Sequence, residues 1–128
     1  MSGHASQTRR VLIVDDNEDA ARSLAYLLSS AGYRVETAFD GATALAIAQH
    51  FVPDICILDI NMPGMNGYEL ARRIRESLIE NPPLLATMTA YNDALHLDRA
   101  VSAGFDLHFT KPVTVEDLID QLESSVSR

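Results

Sequence analysis

The stretch Val11-Leu12-Ile13-Val14-Asp15-Asp16-Asn17 sets four apolar residues, three of them β-branched, directly against two adjacent carboxylates. The apolar run reads as a short buried strand. Two neighbouring carboxylates repel each other, and neither is cheap to bury without a partner. The strand must therefore end in water or beside something positive.

Working outward, short apolar runs alternate with helical patterns along the whole chain. Strands are expected at 11–15, 33–38, 54–59, 84–88 and 106–110. A first helix over 17–31 places Leu24, Leu27, Leu28 and Ala31 at i, i+3, i+4 and i+7, with Gly32 as a stop. A second follows Asp40-Gly41 with Ala44, Ile47, Ala48 and Phe51 on one face. A third starts after Gly67 with Leu70, Ala71, Ile74 and Leu78 inward, and Asn81-Pro82-Pro83 breaks the chain after it. A fourth, about 93–103, carries Leu97, Ala100 and Val101. The fifth opens at Thr114-Val115-Glu116-Asp117, a capping-box variant, and buries Val115, Leu118, Ile119, Leu122 and Val126.

This is a (βα)5 pattern, an α/β class with a doubly wound parallel sheet. Strands one, three and four are nearly continuous apolar runs and belong in the centre. Strands two and five alternate, as edge strands do, giving the order 2-1-3-4-5. In such a sheet ligands bind outside the carboxyl ends of the strands, where the order reverses.

Composition narrows the function. The chain has 128 residues, 47% hydrophobic and 22% charged, and a formal net charge of −8. Its basic pairs are Arg9-Arg10 and Arg72-Arg73, which argues against direct contact with nucleic acid or an anionic membrane. No apolar run approaches the roughly 20 residues of a membrane span. Residues 1–8 read as a flexible tail or linker and 9–128 as one domain. Cys56, the lone cysteine, lies in the apolar run Ile55-Cys56-Ile57-Leu58 and reads as a core filler in a cytoplasmic protein. His4, His50 and His96 have no partners at ligand spacing and are expected to face solvent. Met62-Pro63-Gly64-Met65 reads as a loop-shaping segment with apolar contacts.

Asp15-Asp16 ends strand one and Asp59 ends strand three, so all three carboxylates meet at the switch point. A hard divalent cation, Mg²⁺ or Mn²⁺, suits such all-oxygen ligands. Thr89 closes strand four and Lys111 closes strand five. A metal, a lysine and a hydroxyl beside one carboxylate form a receptor for a phosphoryl group. Asp59, alone on the central strand, is the candidate nucleophile, giving an acyl phosphate. The plainer alternative makes Asp15 and Asp16 only a helix N-cap and a first-turn charge.

The motifs VLIVDDNEDA, DICILDINMPGMNGYEL, MTAY and GFDLHFTKPV, in this order, resemble the receiver domain of bacterial two-component systems over residues 9–126. The wording GFDLHFTKPV is most similar to receivers fused to hybrid sensor histidine kinases. The resemblance implies a flavodoxin-like fold in which Asp59 accepts phosphate from a phosphohistidine. It implies Mg²⁺ ligation by Asp16, Asp59 and the backbone carbonyl of Asn61, with Asp15 acting mainly through water held by the metal. It implies that Thr89 bonds a phosphoryl oxygen, that Lys111 pairs with the phosphate, and that the Lys111–Pro112 bond is cis.

Receivers signal through an aromatic ring three residues before the lysine. Here that position holds His108, smaller than the usual Tyr or Phe and able to charge near neutral pH. Two readings stand open: a switch ring working with Thr89, or an exposed edge-strand histidine with no switching role. Asn61 and Tyr91 occupy positions that tune how water reaches the acyl phosphate. A histidine kinase or histidine phosphotransfer protein is expected to dock on Asn17, Ala20, Ser23, Pro112 and Val113. Helix four, strand five and helix five form the expected output surface, with homodimerisation as one use of it.

The resemblance implies a signalling phosphoacceptor that acts on its own Asp59, not an enzyme with a separate substrate. The first rival is a receiver-like docking or dimerisation module that is never phosphorylated. The second is a haloacid-dehalogenase-like phosphatase, but Asn61 stands where its general acid would be. A DNA-binding effector would lie on another chain or beyond this sequence.

Overall fold

A computed structural model describes residues 8–89 and 94–126, with side chains given for all of these except 94–97 and 126. Ten elements alternate: β1 (Arg10–Val14), α1 (Glu18–Ser30), β2 (Arg34–Ala38), α2 (Gly41–Phe51), β3 (Ile55–Asp59), α3 (Gly67–Ser77), β4 (Leu84–Thr89), α4 (Ala94–Ala103), β5 (Leu107–Thr110) and α5 (Val115–Val126). The strands form one parallel sheet in the order β2-β1-β3-β4-β5. Fold class and strand order agree with the sequence reading, and strand and helix ends shift by a residue or so.

Alternation along the strands sends successive side chains to opposite faces. One core layer joins Leu12, Cys56, Leu58 and Leu85 with Leu70 and Ile74 of α3. The other joins Ile13, Ile57, Ala86 and Phe109 with Leu28 of α1 and Leu118 of α5. Cys56 is fully buried, and burial pushes its thiol far above the usual range, so it is inert filler.

Polar side chains close four helix starts among the described residues. Asn17 accepts from Ala20 N, Asp40 from Thr43 N and Asn66 from Glu69 N. Thr114 Oγ1 accepts from Asp117 N ahead of α5. The expected loop character of Met62-Pro63-Gly64-Met65 fits what is seen: Met62 is buried and Met65 packs on the first core layer. Gly41 admits this, because a Cβ there would sit 2.8 Å from the Met65 sulfur.

At the amino ends of the strands, Arg75 Nε donates to the Gly104 carbonyl at 3.1 Å, and Asp106 Oδ2 accepts from Leu85 N at 2.8 Å. Arg75 also pairs with Asp106 at 3.4 Å. These bonds tie the ends of α3 and α4 to the start of β4. The Tyr33 hydroxyl donates to Glu123 and ties α5 to the start of β2.

Two expected core faces need correction. In α1 the inward residues are Ala21, Leu24, Ala25 and Leu28, while Leu27 is 44% exposed and Ala31 is an exposed C-cap. In α4, Ala100 and Ala103 point inward and Val101 is 74% exposed. The small alanines let both helices approach the sheet closely, which rotates the larger neighbours outward. Leu97 and Val126 fall among the side chains outside the description, as do His4 and His96. His50 is exposed, as expected. No helix among the described residues is long and apolar enough to cross a membrane.

Candidate functional site

Because all five strands are parallel, their carboxyl ends share one edge of the sheet. β1 delivers Asp15 and Asp16 there, and β3 delivers Asp59. One carboxylate oxygen from each of the three lies within 4.8 Å of the others. Asp15 and Asp59 are each 8% exposed, while Asp16 faces solvent. Neither Asp15 nor Asp16 caps α1, because Asn17 does; Asp15 Oδ1 accepts from Asn17 N at 3.0 Å instead. The plainer reading of the acidic pair is thereby corrected.

β5 supplies the cation. Lys111 Nζ lies 3.4 Å from Asp15 Oδ2 and 3.7 Å from Asp59 Oδ1. The Lys111–Pro112 bond is cis, as the family pattern implied. Burial pushes the Asp59 carboxyl up to about 6, the Asp15 charge adds to this, and Lys111 opposes it. One ammonium therefore does not balance three carboxylates. The residues fit a divalent cation: three hard oxygen donors converge, and Asp59, one of the two buried ones, is disfavoured as an anion without added positive charge.

β4 brings Thr89, 2% exposed, one residue beyond Met88, the register partner of Asp59. Its carbonyl accepts from Lys111 N at 2.7 Å, which joins the ends of β4 and β5. Asn61, two residues beyond the end of β3, is exposed. Tyr91 lies outside the described residues. His108 is half-buried, and both its ring nitrogens are shielded from solvent without a hydrogen-bond partner, so the expected exposure of an edge-strand histidine is corrected.

Beside the carboxylates, α1 and the segment after β5 enclose a cavity of about 380 Å³. Asn17, Ala20, Pro112 and Val113 line it, and Asp59 and Lys111 open into it. Ser23 is exposed on α1 outside this lining. Leu24 and Met88 also line it, and the sequence does not mark either as a site residue. Their signal was present but read as core, because an apolar residue at a cavity wall and one in a core share the same periodicity.

The response regulator receiver domain family matches residues 11–123. The sensor histidine kinase RcsC of Escherichia coli is 40% identical over 111 residues, 87% of this chain and 11% of RcsC. The transcriptional regulatory protein TrcR of Mycobacterium tuberculosis is 34% identical over 119 residues, 93% of this chain and 46% of TrcR. The chain thus spans less than half the length of either relative. Among solved structures, the chemotaxis protein CheY4 of Vibrio cholerae superposes with a TM-score of 0.86 at 32% identity, covering 91% of this chain and 98% of that one. With its carboxylates, lysine and threonine gathered at one sheet edge and its sequence matched almost end to end, this chain belongs to the response regulator receiver domain family.

Proposed function

We propose that this receiver takes a phosphoryl group from a phosphohistidine onto Asp59. The observation that carries the proposal is the convergence of Asp59, Asp15 and Lys111 from three strands on one crevice. An Asp59 oxygen forms the new bond to phosphorus. The old P–N bond breaks, and its electron pair returns to the donor imidazole, which takes a proton from solvent. Lys111, within reach of Asp59 Oδ1, pairs with the arriving phosphoryl oxygens. Thr89 at the end of β4 bonds another of them. Asp15, Asp16, Asp59 and the Asn61 carbonyl are the residues that would hold Mg²⁺. When bound, that ion supplies charge neutralisation for the transferring group.

Receiver domains work with histidine kinases or phosphotransfer proteins. Here the cavity walls at Asn17, Ala20, Pro112 and Val113 suit a partner helix, and Ser23 extends that face along α1. Response passes through Thr89 and His108 toward α4, β5 and α5, the surface open to an effector or a second copy. Residues 9–128 are the functional unit, acting on its own carboxylate rather than on a separate substrate. A phosphohistidine donor and a lone reduced thiol suit the cytoplasm.

Intact mass after incubation with acetyl phosphate, in Mg²⁺ or EDTA, tests this for wild type and Asp59→Asn. One phosphoryl mass gained only with both Mg²⁺ and Asp59 supports it. No gain from acetyl phosphate or from a panel of phosphorylated phosphotransfer proteins moves the docking module to first place.

A further inference from the structure

Two buried polar groups remain outside the site chemistry. Thr87 is 0% exposed, and its Oγ1 has no hydrogen-bond partner. His108 has both ring nitrogens shielded and likewise unpartnered. They are direct register partners across β4 and β5. Ala86 and Phe109 belong to the α1–α5 layer, so alternation turns both Thr87 and His108 to the other face, the one packed by α3 and α4. Neighbouring strands run about 4.8 Å apart, so side chains from these two positions stand side by side.

A buried hydroxyl or imidazole without a partner is costly, and nearly all such groups in folded proteins have one. Each of these groups can serve the other. A threonine hydroxyl both donates and accepts, and a neutral imidazole offers one N–H and one lone pair whichever tautomer it adopts. Thr89 lies two residues beyond Thr87 on the same strand and face, and Thr110 is its own register partner. Thr87 is therefore the next residue on that face of β4 to which a movement of Thr89 toward Asp59 would pass.

We propose that Thr87 is a positioning residue for His108, its hydroxyl closing a hydrogen bond with the imidazole across β4–β5 when the phosphoryl group draws Thr89 inward. This rests on the proposed phosphoryl switch through Thr89 and His108. It gives this receiver a polar latch where an aromatic ring would settle by packing alone.

The test is ¹⁵N NMR of the His108 imidazole in full-length protein with Mg²⁺, before and after beryllofluoride, a phosphoryl mimic. In wild type the two ring nitrogens resolve into one tautomer with a hydrogen-bonded shift on binding. In Thr87→Val the shift falls below about a third of that, while beryllofluoride still binds, its affinity lowered by roughly fivefold because the latch closes only on binding. Thr87→Ser keeps a hydroxyl and restores the shift, which also guards against a Val variant that folds poorly. An unchanged shift in Thr87→Val, or a wild-type imidazole indifferent to bound beryllofluoride, overturns the latch alone. Beryllofluoride that fails to bind wild type at all overturns the phosphoacceptor reading and the latch together.

Discussion

Gly67 faces the backbone of Asp59 so closely that a Cβ at Gly67 would lie 2.4 Å from the Asp59 carbonyl oxygen and 2.9 Å from the Ile60 Cα. Both atoms are main chain, so neither can swing aside. Gly67 N also donates to the Ile60 carbonyl at 3.0 Å. The start of α3 is therefore pressed against the segment that presents Asp59 and Asn61. Gly67→Ala is expected to cost about 1–3 kcal/mol in urea unfolding, as overpacking does. It is also expected to weaken Mg²⁺ binding at least tenfold, read by NMR titration. Unaltered Mg²⁺ affinity would confine Gly67 to a packing role.

The Asp59 carboxyl sits at about 6 in the folded chain against 3.8 as its ordinary value. The folded state thus holds this proton more tightly than the unfolded state. Stability from this group is complete below about pH 4 and is lost as pH rises to about 6, by up to about 3 kcal/mol. Without Mg²⁺, Asp59→Asn should exceed wild type by about 1–3 kcal/mol at pH 7.5, with the gap closing near pH 4. Urea midpoints in EDTA at the two pH values check this, and a gap independent of pH would contradict it.

Lys111 is the favourable charge that Asp59 feels, opposing both burial and Asp15. Lys111→Met should move the Asp59 titration upward, seen in its carboxyl ¹³C shift. It should also slow phosphorylation by acetyl phosphate at least tenfold, in line with loss of one stabilising cation. A titration that stayed in place would mean solvent screens the 3.7 Å pair.

Val52 caps α2 with φ 49°, in the left-handed region that β-branched residues avoid. Asn tolerates that region, and Val52 lies far from the carboxylates at the other end of β3. Val52→Asn is expected to gain roughly 0.5–1 kcal/mol, with phosphorylation unchanged. Thermal unfolding measures it; a lower melting temperature would mean the half-buried valyl contacts outweigh the backbone relief.

Thr87→Val removes a buried hydroxyl that bonds to nothing in the unphosphorylated chain and keeps its shape. It is expected to stabilise that form by about 1 kcal/mol in chemical denaturation. Destabilisation would place an ordered water on the hydroxyl.

The strand order and the cluster of Asp15, Asp16, Asp59 and Lys111 were legible because period-two runs and strand-end charges are local signals. The inward face of α1 was not. Leu24, Leu27, Leu28 and Ala31 satisfy helical spacing, but so do Ala21, Leu24, Ala25 and Leu28, and leucines draw the eye before alanines. The structure takes the second set because close approach to the sheet rewards small side chains. Val101 misled for the same reason beside Ala100. Asp106 as a cap on Leu85, and Thr87 beside His108, needed the register of β4 with its neighbours. No pattern within a single segment of chain encodes that.

The place of β3 between β1 and β4 gives Asp59 two flanks with different duties. From the β1 side come Asp15 and Asp16, which in the proposed function help hold the metal for phosphoryl transfer. From the β4 side come Thr89 and Thr87, which in the proposed switch carry the response once Asp59 is phosphorylated. Loading and listening thus sit on separate strands. In such a layout, drift on one flank can retune the lifetime of the signal while the other keeps its meaning.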